Sequence, residues 1–216
     1  MTETNSEYVY DSAVPSHTNA YIWPKVETIL QQYKASASRT FAPRVFDLGC
    51  GNGSFLRRLR KIGFSARGVD PSSSGIQHAK TESPDLDVEE GSAYDDLAAK
   101  YGRFPFVISL EVVEHLYSPR LFAKTLFELT EPGGVAIIST PYHGYVKNVV
   151  MAISGKMDSH FTVLWDHGHI KFWSIRTLTI LLEEAGFTNV RFEFAGRIAI
   201  LAKSMIAIAT RPGENK

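Results

Sequence analysis

The stretch Val45-Phe46-Asp47-Leu48-Gly49-Cys50-Gly51-Asn52-Gly53-Ser54-Phe55 runs an apolar segment into three glycines at alternate positions, and an amphipathic helical pattern follows. Glycine is required where a backbone turns tightly or approaches a ligand closely, because a Cβ would clash. The helix start beyond the loop offers free N–H groups and the positive end of a dipole. The stretch therefore reads as a strand–loop–helix unit built around a nucleotide-like ligand.

Its spacing narrows the ligand. A dinucleotide fingerprint wants Gly-x-Gly-x-x-Gly, with pyrophosphate on the helix end. Here the spacing is Gly-x-Gly-x-Gly, and Asp47 stands two residues before the first glycine. An acid at that place repels a pyrophosphate and suits an ammonium group. A second apolar run ends at Val69-Asp70, 21 residues after Gly49. A carboxylate there accepts hydrogen bonds from the hydroxyls of a ribose. One acid for an amino group and one for a ribose describe an amino-acid nucleoside, S-adenosylmethionine.

Outward from this unit, short apolar runs alternate with helical patterns. Candidate strands are 45–48, 66–69, 87–90, 106–110 and 135–140, with helices near 55–62, 74–81, 94–100 and 120–130. In the last helix Leu121, Phe122, Thr125, Leu126 and Leu129 share one face. That alternation means parallel strands joined by right-handed crossovers, an open sheet covered on both faces. A helix over 175–185, capped by Ser174 and ended by Gly186, precedes two strands near 190–195 and 205–210. No helical pattern separates those two, so they pair antiparallel. Ahead of the first strand, Val26, Ile29, Leu30 and Tyr33 predict a helix from Thr18, with Pro24 near its start and 36–43 as a linker. Residues 1–17 carry no period and read as a flexible arm before a single domain over 18–216.

Composition sets the class. With 216 residues the chain buries roughly 70% of its unfolded surface and folds without staples. Lys+Arg and Asp+Glu are both 23, so the field that draws proteins onto nucleic acid is missing. A lone cysteine, Cys50, an opening without a signal segment and the lack of a long apolar run point to the cytoplasm. Cys50 reads as a small residue among glycines, and Arg57, Arg58, Arg60 and Lys61 as a solvated helix face.

The motifs Val45 to Gly53, Gly68-Val69-Asp70, Leu110 to His115 and Pro132-Gly133-Gly134 resemble those of class I S-adenosylmethionine-dependent methyltransferases. Within them, Glu111-Val112-Val113-Glu114-His115 resembles the ubiquinone-biosynthesis O-methyltransferase group. The resemblance spans about 44–210 and implies a Rossmann-like, mostly parallel seven-stranded sheet with an antiparallel last strand and helices on both faces. It also implies that Asp47, Gly49, Gly51 and Gly53, with Asn52, line the methionine end of the cofactor. Asp70 and Pro71 then lie at the ribose, Ser92 and Ala93 at the adenine, and Leu110 at the reactive centre.

Two further stretches sit on the ligand edge of such a sheet. If 111–115 is a helical turn, Glu111, Glu114 and His115 share one face and could hold a divalent metal. The resemblance implies Mg²⁺, although Mg²⁺ prefers oxygen ligands throughout. Residues 141–173 hold four of the seven histidines and six aromatic residues, and read as a substrate-binding insertion. His169 is the first candidate for a general base and His143 the second, while the pair His167 and His169 offers a further metal ligand. Val146, Val149, Val150 and Ile153 lie at helical spacing, which predicts packing on the core; a lid and a peripheral membrane contact are the alternatives.

The expected activity is methyl transfer to an oxygen of a small aromatic or quinol-like acceptor. Two readings compete with it: a cofactor-binding module without catalysis, and a small-RNA ribose 2′-O-methyltransferase, which the balanced charge disfavours.

Overall fold

A computed structural model describes residues 8–12, 14, 18–36, 43–161, 163–166 and 168–213. Seven strands form one sheet in the order β3-β2-β1-β4-β5-β7-β6. They are β1 Arg44–Leu48, β2 Ser65–Asp70, β3 Asp87–Glu90, β4 Phe104–Leu110, β5 Thr130–Pro141, β6 Thr188–Ala195 and β7 Ser204–Thr210. The first five pair in parallel, and β7 runs antiparallel to both β5 and β6. The fold expectation holds, with every candidate strand present and most extended by one or two residues.

The helices are α1 Asn19–Ser36, α2 Ser54–Lys61, α3 Ser73–Glu82, α4 Leu97–Tyr101, α5 Pro119–Leu129, α6 Tyr145–Ile153, α7 Met157–Phe161 and α8 Ile175–Glu184. Central strands are apolar on both sides because each face carries a helical layer. One core gathers Ile22, Val26, Ile29 and Leu30 of α1 with Leu56 and Leu59 of α2 against Val45, Ile108, Ile137 and Ile206. The other sets Phe122, Leu126 and Leu129 of α5 and Leu178 and Leu182 of α8 against Phe46, Val107, Ile138 and Ala207. Burying each of the Val, Leu, Ile and Phe side chains stabilises the fold by about 1.5–3 kcal/mol.

Several local expectations are corrected. Pro24 lies inside α1, in its second turn, rather than near the start. The helix tolerates it at the cost of one backbone hydrogen bond. Leu121 is half exposed, and Ala123 takes its place on the buried face of α5. The helix expected over 94–100 begins only at Leu97, because Asp96 caps it by accepting from the Ala99 N–H. Most of the linker at 36–43 lies outside the described residues.

On α6 only Met151 is buried, and Val146, Val149, Val150 and Ile153 are exposed, Ile153 at 83%. Packing on the core is thereby excluded for that stripe. Among the described residues no helix is long and apolar enough to cross a membrane.

Of the N-terminal arm, residues 8–12 and 14 are described, and they lie along the segments that follow β1 and β2. Ser72 Oγ donates to Tyr8 O at 2.6 Å, Tyr10 N–H donates to Ser74 Oγ at 3.0 Å, and Asn52 Nδ2 donates to Ser12 O and Val14 O.

Candidate active site

The carboxyl ends of β1, β2 and β4 lie side by side where the strand order reverses, the place at which an open α/β sheet presents a ligand crevice. After β1 the chain turns through Gly49, Gly51 and Gly53, at φ 91°, 53° and 66°, a region that L side chains rarely adopt. The loop is tied to β2 at two levels. Gly49 and Cys50 N–H groups donate to Val69 O at 2.9 Å, and Gly51 N–H donates to Asp70 Oδ2 at 2.7 Å. Asp70 Oδ1 accepts from Ser72 N–H at 2.9 Å. Asp70 thus sits at 8% exposure with its carboxylate fixed in the crevice wall. Gly68 keeps this wall thin, because a Cβ there would lie 2.6 Å from the Cys50 Cβ.

Asp47 is 3% exposed, and its Oδ1 has no hydrogen-bond partner among the described residues. Burial, reinforced by the Asp70 charge, raises its pKa to about 8. Such an orphaned acid fits a cationic ligand group. Asn52 points its amide to the arm, and its Oδ1 accepts from Ser54 N–H. Pro71 is exposed beside Asp70, while Ser92 and Ala93 are half-buried in the turn after β3. Gly91 N–H donates to Asp70 O and so brings that turn to β2.

The perturbed Asp47 fixes a pH dependence. The lowered pKa values of His143, His160 and His169 act in the opposite sense near pH 6.5, where the unfolded histidines still hold protons, and that effect is spent by about pH 7.5. Between there and pH 8 the folded Asp47 holds a proton that its unfolded form, with a pKa near 3.8, has released. The native state binds more protons, so stability falls as pH rises through this window. The melting temperature of the ligand-free protein is expected to drop from about pH 7.5 to pH 8.5. Asp47→Asn should flatten that drop, and an unchanged slope in the variant counts against the assignment.

The acid-rich turn departs from its expected shape. Glu111 adopts φ 57°, and only Val113–His115 is helical, as one 3₁₀ turn. The i, i+3, i+4 alignment needs helical backbone from Glu111 onward, so the three side chains do not share a face. Glu111 instead turns toward β5 and β7. Its N–H donates to Ser139 O and Oγ, Ser139 Oγ donates to Oε1 at 2.8 Å, and Ser204 Oγ approaches Oε2 at 3.4 Å. Burial raises its pKa to about 7.

Glu114 and His115 meet His169 instead. One ligand atom from each of the three lies within 4.8 Å of the others. Glu114 is 1% exposed, Thr140 Oγ1 donates to its Oε2 at 3.0 Å, and its Oε1 has no partner among the described residues. Burial and then the Glu111 charge raise its pKa well above the ordinary carboxyl value. The ring centroids of His115 and His169 are 4.9 Å apart, and Trp165 closes the cluster at 6.1 and 5.5 Å. Ile170 and Lys171 N–H groups donate to Glu114 O and bind the two segments together. Burial, with His115 beside it, lowers the His169 pKa to about 4. Of the three residues singled out as metal ligands, Glu114 and His115 lie together with His169, and Glu111 lies outside that group. His167 lies outside the described residues.

His143 occupies a separate aromatic nest with His160, Phe161 and Phe172 at 5.1 to 6.0 Å. Its pKa is also lowered to about 4, by burial first and the nearby Lys147 charge second. Val112 joins the two halves of the site. A Cβ on Gly49 would lie 2.5 Å from Val112 Cγ2, so the turn carrying Glu111 and Glu114 rests on the glycine loop. Leu110, at the end of β4, is half-buried against the core that α1 and α2 cover.

Some site residues escaped the sequence reading. Ser139, Thr140 and Ser204 are polar positions at the ends of apolar strands, a visible if weak signal. Tyr21 of α1 also reaches this centre, where its hydroxyl hydrogen-bonds with Ser204. Helical periodicity alone gave no reason to select it.

Comparison with known proteins places the chain in a family. A family profile described as a methyltransferase domain matches residues 21–191. A ubiquinone biosynthesis O-methyltransferase of Azorhizobium caulinodans is 31% identical over 174 residues, covering 75% of this chain and 67% of the relative. One from a Caulobacter is 36% identical over 101 residues, 45% of this chain and 40% of the relative. The chain thus spans about two fifths to two thirds of these relatives' length. Among solved structures, magnesium protoporphyrin IX methyltransferase of Synechocystis, with bound S-adenosylhomocysteine, superposes with a TM-score of 0.65 at 19% identity. That alignment covers 87% of this chain and 82% of the neighbour. The methyltransferase domain of bacterial CtHen1 gives 0.62 at 25% identity, covering 86% and 97%.

Proposed function

We propose, since this chain belongs to the methyltransferase-domain family, that it moves the methyl group of S-adenosylmethionine to an oxygen of a small aromatic or quinol-like acceptor. The observation that carries this reading is the contact of Val112 with Gly49, which sets the glutamate–histidine cluster directly against the cofactor loop. The names of its ubiquinone-pathway relatives favour a catechol-like acceptor.

Methyl transfer is an in-line displacement at a sulfonium that is reactive through its own charge. The chain's task is to align acceptor, methyl and sulfur and to take up a proton. The orphaned Asp47 faces the cofactor's ammonium, and Asp70 its ribose. Asp47 takes on full negative charge once that cation is beside it, since an opposite charge favours the ionised form. His169 is the proton acceptor in this reading. Its lowered pKa leaves the imidazole neutral throughout the physiological range, with a nitrogen free to accept, as a weaker base than an ordinary histidine. The exposed apolar stripe of α6 suits an apolar acceptor met at a membrane surface.

A second reading is favoured by the unpartnered Glu114 Oε1. Glu114, His115 and His169 offer one oxygen and two imidazole nitrogens, a set suited to Mn²⁺, Fe²⁺ or Zn²⁺ more than to Mg²⁺. An ion held there would supply Lewis acidity that lowers the pKa of an acceptor hydroxyl. His169 would then be a ligand rather than a base.

The test is transfer of labelled methyl from S-adenosylmethionine to catechols, presented free and in vesicles, with and without EDTA. Turnover is expected, with greater rates from vesicles. Survival of turnover in EDTA supports the base reading, and loss restored by Mn²⁺ but not Mg²⁺ supports the metal reading. No turnover with any acceptor, beside intact cofactor binding, overturns the assignment in favour of a non-catalytic module.

A further inference from the structure

The crevice has a wall that neither the glycine loop nor the strand ends supply. Tyr10, from the aperiodic arm, lays its ring across the loop. A Cβ on Gly51 would strike its hydroxyl, and one on Gly75 would lie 2.9 Å from its Cδ2. The arm is held there by Ser72, Ser74 and Asn52. The Tyr8 ring packs on Tyr10 at 4.8 Å and on Trp165 of the histidine cluster at 6.5 Å. The placement is thus fixed from the cofactor side and the acceptor side together.

A methionine-derived cofactor brings a carboxylate as well as an ammonium. Asp47 and Asp70 repel that carboxylate, so a donor must offset them nearby. The amide of Asn52 and the hydroxyl of Ser72 are given to arm carbonyls. The Tyr10 hydroxyl takes part in none of the bonds that seat the arm, and it lies directly over Gly51.

We propose that Tyr10 is a cofactor-binding residue whose hydroxyl donates to the carboxylate of the cofactor's methionine moiety, with residues 8–12 forming the outer wall of that subsite. This rests on the reading of the crevice as an S-adenosylmethionine site. Burial beside two acids raises the phenol pKa, so the hydroxyl keeps its proton and remains a donor.

The test uses the full chain and two probes, S-adenosylmethionine and its decarboxylated analogue, which differ only in the carboxylate. A hydrogen bond to a charged group is worth roughly a tenfold effect or more on affinity. In Tyr10→Phe, calorimetric affinity for S-adenosylmethionine should fall about tenfold while affinity for the analogue changes less than twofold. Equal losses for both probes, or no loss for either, overturn the proposal by reducing Tyr10 to packing. A wild-type chain that binds neither probe overturns the cofactor reading itself, and this inference with it.

Discussion

Asp70→Ala is expected to weaken S-adenosylhomocysteine binding by at least a hundredfold, to below calorimetric detection. Two losses combine. The ribose hydroxyls lose their acceptor, a bond to a charged group worth about 1.5–3 kcal/mol. The glycine loop also loses its tie, because Asp70 Oδ2 holds Gly51 N–H at 2.7 Å and Oδ1 holds Ser72 N–H at 2.9 Å. Both donors then remain at a crevice shaped for a fixed carboxylate. Asp70→Asn separates the two losses. Its amide oxygen keeps one backbone bond, but its NH₂ opposes the other N–H, so an intermediate affinity is expected. Far-ultraviolet dichroism should match the wild type for both variants, since the Val69 O bonds to Gly49 and Cys50 remain. Affinity within threefold of wild type in Asp70→Ala would remove Asp70 from the site.

The same carboxylate explains what was legible in the sequence. Glycine spacing and the acids at the ends of β1 and β2 are local signals, because the backbone that turns there must be glycine and the acids follow at fixed distance. Strand–helix alternation is likewise local and located the five parallel strands, while two apolar runs without a helical pattern between them marked the antiparallel pair. The Glu111 turn was not legible. Its residues fit a helical turn by spacing, but Ser139 and Ser204 on two other strands draw Glu111 into a left-handed conformation. Only the register of β4, β5 and β7 brings those hydroxyls near. Tyr10 was hidden for a different reason. An arm without periodicity carries no packing signal, and its position depends on hydrogen bonds to Ser72, Ser74 and Asn52 and on the fit of the Tyr10 ring against Gly51 and Gly75. The exposed stripe of α6 shows the limit of periodicity itself. Amphipathic spacing states that one face is apolar, not that the face is covered.

His169→Ala is expected to slow methyl transfer by roughly 10²–10⁴-fold, the usual span for losing a general base, while S-adenosylhomocysteine affinity stays within about twofold. The separation follows from where each part is anchored. The cofactor loop is built from β1 and β2, whereas residues 168–171 hang on the acid turn through main-chain bonds. Ile170 and Lys171 N–H groups donate to Glu114 O at 2.9 Å, and Gly168 O lies 3.2 Å from His115 Nδ1. Removing the imidazole leaves all of these in place, so the segment keeps its course. The pH profile carries the sign of the role. A base with a pKa of about 4 is active above that value, and its contribution falls as pH drops through it. The wild-type rate should therefore show no loss from this group between pH 5 and 8. Added imidazole should recover part of the rate in the variant if His169 only takes a proton. If rate and cofactor affinity fall together, or if added imidazole fails where Mn²⁺ changes the rate, His169 belongs to a metal set or to the scaffold and not to proton transfer.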